Sequence, residues 1–117
     1  AKANGRVARM LNQAAAAILV CGDLDRAFPP APDFWVIDAA IAAQNMTLAA
    51  NDLGIGSVWL GTWPDEKRVK RQAAIFQLPE TIVPHSILAL GYPAEDIDMR
   101  AVRPSRYEEN RVHVNQW

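Results

Sequence analysis

The stretch FWVIDAAIAAQNMTLAANDL, residues 34–53, limits what this chain can fold into more than any other part of it. It runs for about five helical turns without Gly or Pro and is alanine-rich and apolar on nearly every face. Asp33 before it is a residue type that caps helices, and Gly54 after it supplies a natural stop. A helix that is apolar all round cannot lie half-exposed on a surface; it must be covered on most sides. A chain of 117 residues has little other material to do the covering. The small side chains of Ala39, Ala40, Ala42, Ala43, Ala49 and Ala50 permit close approach by neighbouring helices. A central helix near a subunit interface is expected.

The flanking segments suggest layers. Gly5 to Gln13 (GRVARMLNQ) places Val7, Met10 and Leu11 at helical spacing. Ala14 to Cys21 (AAAAILVC) is a continuous apolar run that reads as a buried strand, its alanines leaving a helix extension as the alternative. Asp23 to Pro32 holds three prolines and reads as a constrained loop. Ser57 to Gly61 is a short strand. Thr62, with Asp65 three residues on, offers a cap for a surface helix that turns Val69, Ala73 and Phe76 inward. The charge run from Asp65 to Arg71 reads as its solvated face, with acids early and bases late as the helix dipole favours. Pro79 closes that segment. Val83 to Gly91 lacks polar alternation over ILAL, which suits a strand inside a sheet. Beyond Tyr92-Pro93 comes a polar, acidic loop, and Arg111 to Trp117 alternates like an extended arm laid on a surface. The order helix, strand, helix, strand, helix, strand, arm is a layered arrangement of helices on sheet without its opening elements.

Composition excludes several functions. The chain is half hydrophobic, enough for one modest core and too short for two ordinary domains, so residues 1–117 are expected to form a single domain. Twelve basic and thirteen acidic residues leave a net charge of -1, so nothing global attracts nucleic acid or an anionic membrane. The apolar run from Phe34 to Ala50 is broken by Asp38, Gln44, Asn45 and Thr47, a poor membrane span. Cys21, the single cysteine, fits a reducing, cytoplasmic setting and reads as a small buried strand residue. The sequence opens on Ala1 with no visible signal peptide, as expected of a chain that starts partway through a gene product.

Most chemical motifs fail on context. Gly54-Ile55-Gly56 follows a helix and enters a strand, the reverse of a dinucleotide loop, and reads as a tight turn needing positive φ. His85 and His113 lie far apart, and the acids at Asp23, Asp25, Asp96 and Asp98 lack metal-loop spacing, so no metal is expected. Ser57 and Ser86 sit in no nucleophile elbow. Two features carry more. Trp59-Leu60-Gly61-Thr62-Trp63-Pro64 puts a glycine and two indoles at a strand end, where main-chain amides can approach a flat ring or the indoles can fill core or interface. Arg100, Arg103 and Arg106 cluster with no acid among them, and the planar guanidinium fork suits a phosphate.

In this order, these strings resemble the nitroreductase family. FWVIDAAIAAQNMTLAANDLGIGSVWLG is similar to that family's central helix and following strand, PHSILALGYP to its next strand, and RPSRY with RVHVNQW to its C-terminal arm. The resemblance runs from about residue 10 to the end and implies an α+β fold, a three-layer α/β/α sandwich present in part. It further implies a homodimer with the long helix near the interface and arms embracing the partner. FMN would be held between subunits, reduced by NAD(P)H and reoxidised in ping-pong fashion by a small-molecule electron acceptor such as a nitroaromatic or quinone. The protein's part would be binding and electronic tuning. Leu60 and Gly61 match the strand end that lies against the isoalloxazine, and Arg103 and Arg106 the basic pair near the FMN phosphate. Asp38 matches a structural helix acid.

The family also opens with an arginine- and serine-rich segment gripping the flavin phosphate and ribityl chain, and no counterpart stands in these 117 residues. Two readings follow. The chain is the larger piece of an FMN-dependent oxidoreductase, or it is a non-catalytic flavin-binding or dimerisation remnant of the same scaffold.

Overall fold

The computed structural model describes residues 2–98, 101 and 104–117. Three strands form one antiparallel sheet in the order β1-β3-β2: β1 (Ala16–Asp23), β2 (Gly56–Gly61) and β3 (Ile82–Gly91). The expectation that the last strand lies inside a sheet holds. Pro84 to Ala89 of β3 are buried, as an apolar run with neighbours on both edges should be. The alanine run settles as strand, with Ala16 opposite Leu90 and Asp23 opposite Ile82. Its register shifts between Val20 and Cys21, whose partners are Ser86 and Pro84, so His85 is the extra residue of a bulge.

The long helix α1 (Trp35–Asp52) covers one face of the sheet. Val20, Trp35, Ala39, Ala43 and Leu88 form the core there, with Val36, Met46 and Val83 packed against them. On the other face, α2 (Glu66–Phe76) and the N-terminal segment flank Ala17, Leu19 and Ile87. These are the three layers expected of the α/β/α sandwich. Ile55 N–H closes α1 by bonding to Ala50 O at 2.8 Å, and Gly54 takes φ +72°, which a side chain would resist.

Several local expectations are corrected. Gly5–Asn12 is 3₁₀ rather than α-helix, interrupted by non-helical dihedrals at Ala8. Asp33 does not cap α1; it lies in a 3₁₀ turn, Pro32–Phe34, that runs directly into the helix. Asp65, not Thr62, caps α2, accepting from the amides of Lys67 at 3.0 Å and Arg68 at 3.2 Å. Both are cap-forming residue types, but Thr62 is buried in a different set of bonds. Phe76 is half exposed, and the fully buried residue of α2 is Gln72. The helix ends through Gln77 in the left-handed conformation, two residues before Pro79.

The fold leaves much surface open. Its accessible area is 9341 Å², against about 6,300 Å² for a folded monomer of this mass. The radius of gyration is 16.9 Å, where a compact chain of this length has about 13.4 Å. Part of the excess is the exposed C-terminal arm, residues 104–117. Another part is along α1 and the turn that leads into it, where Phe34, Ile37, Ile41 and Leu48 form an exposed apolar stripe at helical spacing. Among the described residues, no helix is long and apolar enough to cross a membrane.

Candidate functional site

The end of β2 is built by a polar network that the sequence pattern does not announce. Thr62 N–H and Trp63 N–H both donate to the carbonyl of His85 at 3.0 Å. Antiparallel alternation then turns the N–H and C=O of Gly61 away from β3, toward the open edge. The Gly61 carbonyl accepts from Asn4 Nδ2 at 3.2 Å and from Arg68 Nη1 at 3.2 Å, which occupies both lone pairs. Behind it, Gln72 Nε2 donates to Thr62 Oγ1 at 2.7 Å and to Asn4 Oδ1. Asn4, Thr62 and Gln72 are all buried, at 4%, 1% and 0% exposure, so the bonds among the three are shielded from water and brace the strand tip.

The outward side of the tip is open. A Cβ built on Gly61 meets nothing within 4 Å, and Leu60, opposite Ile87, is only partly covered. Trp59 and Trp63 flank this surface at 38% and 40% exposure. An apolar cleft of about 490 Å³ between the sheet and α2 excludes Leu60 and Gly61, so the strand end is an open edge and not the floor of that cleft.

Aromatic rings buttress the tip from the α1 face. Trp35 meets Trp63 edge-on with ring centroids 5.1 Å apart, and the His85 ring lies 6.0 Å from Trp35 and 5.9 Å from Trp59. Burial pushes the His85 imidazole below its ordinary value of 6.5 and so favours the neutral ring. Ser86 Oγ, 3.1 Å from Nδ1, can donate to that neutral ring. The unfolded chain therefore binds the proton more tightly than the folded one. His85's contribution to stability is complete above its unfolded value and is lost as pH falls through and below 6.5. The denaturation midpoint should drop between about pH 7.5 and 5.5, and His85→Gln should flatten that slope. An unchanged slope in the variant would assign the pH dependence to other groups.

Of the four cofactor-binding residues expected from sequence, Leu60 and Gly61 lie together at the strand tip. Arg106 is exposed in the irregular arm. Arg103, with Arg100, lies outside the described residues. Asp38 is exposed on α1 and borders a cleft with Arg26 and Cys21. Cys21 is partly buried on β1 rather than fully buried as expected, and that burial pushes its thiol up from its ordinary value. Among the described residues no three metal-binding side chains come together.

Sequence reading missed Asn4, Gln72 and Arg68. The first two join across 68 positions of chain, and such a bond leaves no local pattern. Arg68 was absorbed into the solvated charge run, although its guanidinium reaches the strand tip while Nε pairs with Asp65 Oδ2 at 3.1 Å.

A model of the nitroreductase family matches residues 3–92. A protein of Methanothermobacter thermautotrophicus named "Putative NADH dehydrogenase/NAD(P)H nitroreductase" is 41% identical over 108 residues, 92% of this chain and 53% of its own length. The chain thus spans about half of that relative. The crystal structure titled "Putative NADH Oxidase from CLOSTRIDIUM ACETOBUTYLICUM" is 32% identical with a TM-score of 0.86, covering 97% of this chain and 66% of that one. A structure titled as an FMN-dependent nitroreductase from Clostridium difficile is 27% identical with a TM-score of 0.73, covering 89% and 59%.

Proposed function

The chain belongs to the nitroreductase family, and from that premise we propose that it forms the larger part of an FMN-dependent NAD(P)H oxidoreductase whose flavin ring lies against Leu60 and Gly61. The observation that carries this reading is the strand tip. The Gly61 carbonyl is saturated by Asn4 and Arg68, the space where a Cβ would stand is free of atoms, and strand alternation points the Gly61 N–H to the open edge. Such a surface suits a flat ring whose edge accepts hydrogen bonds. When bound, FMN would supply two-electron redox chemistry between NAD(P)H and a small electrophilic acceptor, a nitroaromatic or quinone, in alternate half-reactions.

The chain's own residues bind and orient. The Gly61 N–H would donate to the ring, while the half-exposed indoles of Trp59 and Trp63 would limit water around it. Arg106, with Arg103, would hold the phosphate through charge-assisted bonds. A second copy would cover the stripe of Phe34, Ile37, Ile41 and Leu48 and receive the arm, giving a homodimer. Residues 1–117 are then one piece of a single domain working in the cytoplasm, with no nucleic-acid or membrane partner.

Arg106→Ala in the protein of natural length should weaken FMN binding about ten- to hundredfold, the scale of one charge-assisted bond. It should leave the thermal midpoint in place, because Arg106 is exposed. Unchanged affinity in a flavin titration would remove Arg106 from the site. NAD(P)H consumption with a quinone, giving parallel lines in double-reciprocal plots, tests the catalytic reading. Flavin uptake without turnover would leave the non-catalytic module.

A further inference from the structure

Arg68 belongs to no expected site, yet its guanidinium sits beside the one peptide the proposed function depends on. Nη1 donates to the Gly61 carbonyl at 3.2 Å, and Nε pairs with Asp65 Oδ2 at 3.1 Å. These two bonds engage two of the five guanidinium N–H groups. The side chain keeps 38% of its surface exposed, so its charge is not sealed inside the fold. Asp65 is itself fixed as the cap of α2 through its other oxygen, Oδ1, so the ion pair is held at both ends.

We propose that Arg68 is a tuning residue of the flavin site, its positive charge favouring the reduced cofactor over the oxidised one. This rests on the reading that the flavin lies against Gly61. Uptake of two electrons and one proton from NAD(P)H leaves a net negative charge on the flavin ring. A guanidinium bonded to the contacting peptide stabilises that charge, and a fixed cation near the ring is one of the levers by which a protein sets the potential. Asp65 opposes the effect, because its carboxylate partly neutralises the same guanidinium. The Asp65–Arg68 pair therefore sets the potential between two limits.

The test is the midpoint potential of bound FMN, measured beside FMN affinity in the protein of natural length. Arg68→Met should lower the preference for reduced over oxidised FMN about tenfold, a shift of about 30 mV to more negative values for a two-electron couple. Arg68→Lys, which keeps the charge, should recover most of it. Asp65→Asn retains a capping side chain and should shift the potential the opposite way. A change below about twofold, about 9 mV, in both Arg68→Met and Asp65→Asn would overturn the proposal and leave Arg68 a brace for the start of α2. Should Arg68→Met fail to fold, the sign of the Asp65→Asn shift decides alone. A wild-type protein that takes up no FMN would instead overturn the functional reading itself.

Discussion

Gly61→Val is expected to weaken FMN binding by about 100-fold or more while the protein stays folded. Valine is a favoured strand residue, and Gly61 does not use a positive φ, so the backbone tolerates the change. A Cβ at this position meets no protein atom within 4 Å, so the fold has nothing to accommodate. Two methyl groups would instead stand where the ring must lie. Forced overpacking costs about 1–3 kcal/mol, and a hundredfold loss corresponds to about 2.7 kcal/mol. Flavin retention after desalting, measured beside the thermal midpoint, checks both halves. A valine variant that keeps its flavin would move the ring off this strand.

Gly22→Ala is expected to act on the fold itself, destabilising it by about 3 kcal/mol, the upper end of overpacking costs. Gly22 is buried on β1, and a methyl group there would overlap the six-membered ring of Trp35. That indole is rigid, 8% exposed and in the centre of the core with Val20, Ala39 and Leu88. It cannot retreat without displacing Trp63 and His85, its ring neighbours. The lesion should therefore reach the strand tip as well, lowering flavin retention as the midpoint falls. Denaturant unfolding gives the number; a midpoint within about 0.5 kcal/mol of wild type would mean that Trp35 has room to move.

The two glycines mark what the sequence made legible and what it hid. Gly61 stood out because it follows an apolar strand and sits between indoles, a local pattern with a chemical meaning. The length and uniform apolarity of α1, the buried character of β3 and the turn at Gly54 were legible for the same reason: each follows from neighbouring residues alone. Gly22 sits near the end of β1, thirteen positions from the ring it packs against, and nothing in the run AILVCGD announces that contact. Burial of Gln72 ran against its residue type, since amides are mostly exposed. It is explained only by Asn4 and Thr62, brought to it by the fold. Thr62 was the cap expected on local grounds, and the tertiary network overruled that expectation by claiming its hydroxyl and leaving Asp65 to cap α2. Arg68 looked like any solvated base of a surface helix until the strand end was placed beside it.

The stripe on α1 is a related case. The sequence showed that the helix was too apolar for one face, and the structure separates the face buried on the sheet, Trp35, Ala39, Ala43 and Ala50, from the face left open. The open face is an apolar patch of the kind that marks association surfaces, and the proposed homodimer would cover it.

The measurement that bears most directly on this account is the visible absorption spectrum of the natural-length protein after incubation with FMN and desalting, followed by anaerobic addition of NADPH or NADH. The account predicts flavin bands that survive desalting in wild type, vanish in Gly61→Val, and bleach on addition of the nicotinamide. A protein that emerges colourless, or one whose flavin survives in Gly61→Val, would contradict the claim that FMN lies on the tip of β2.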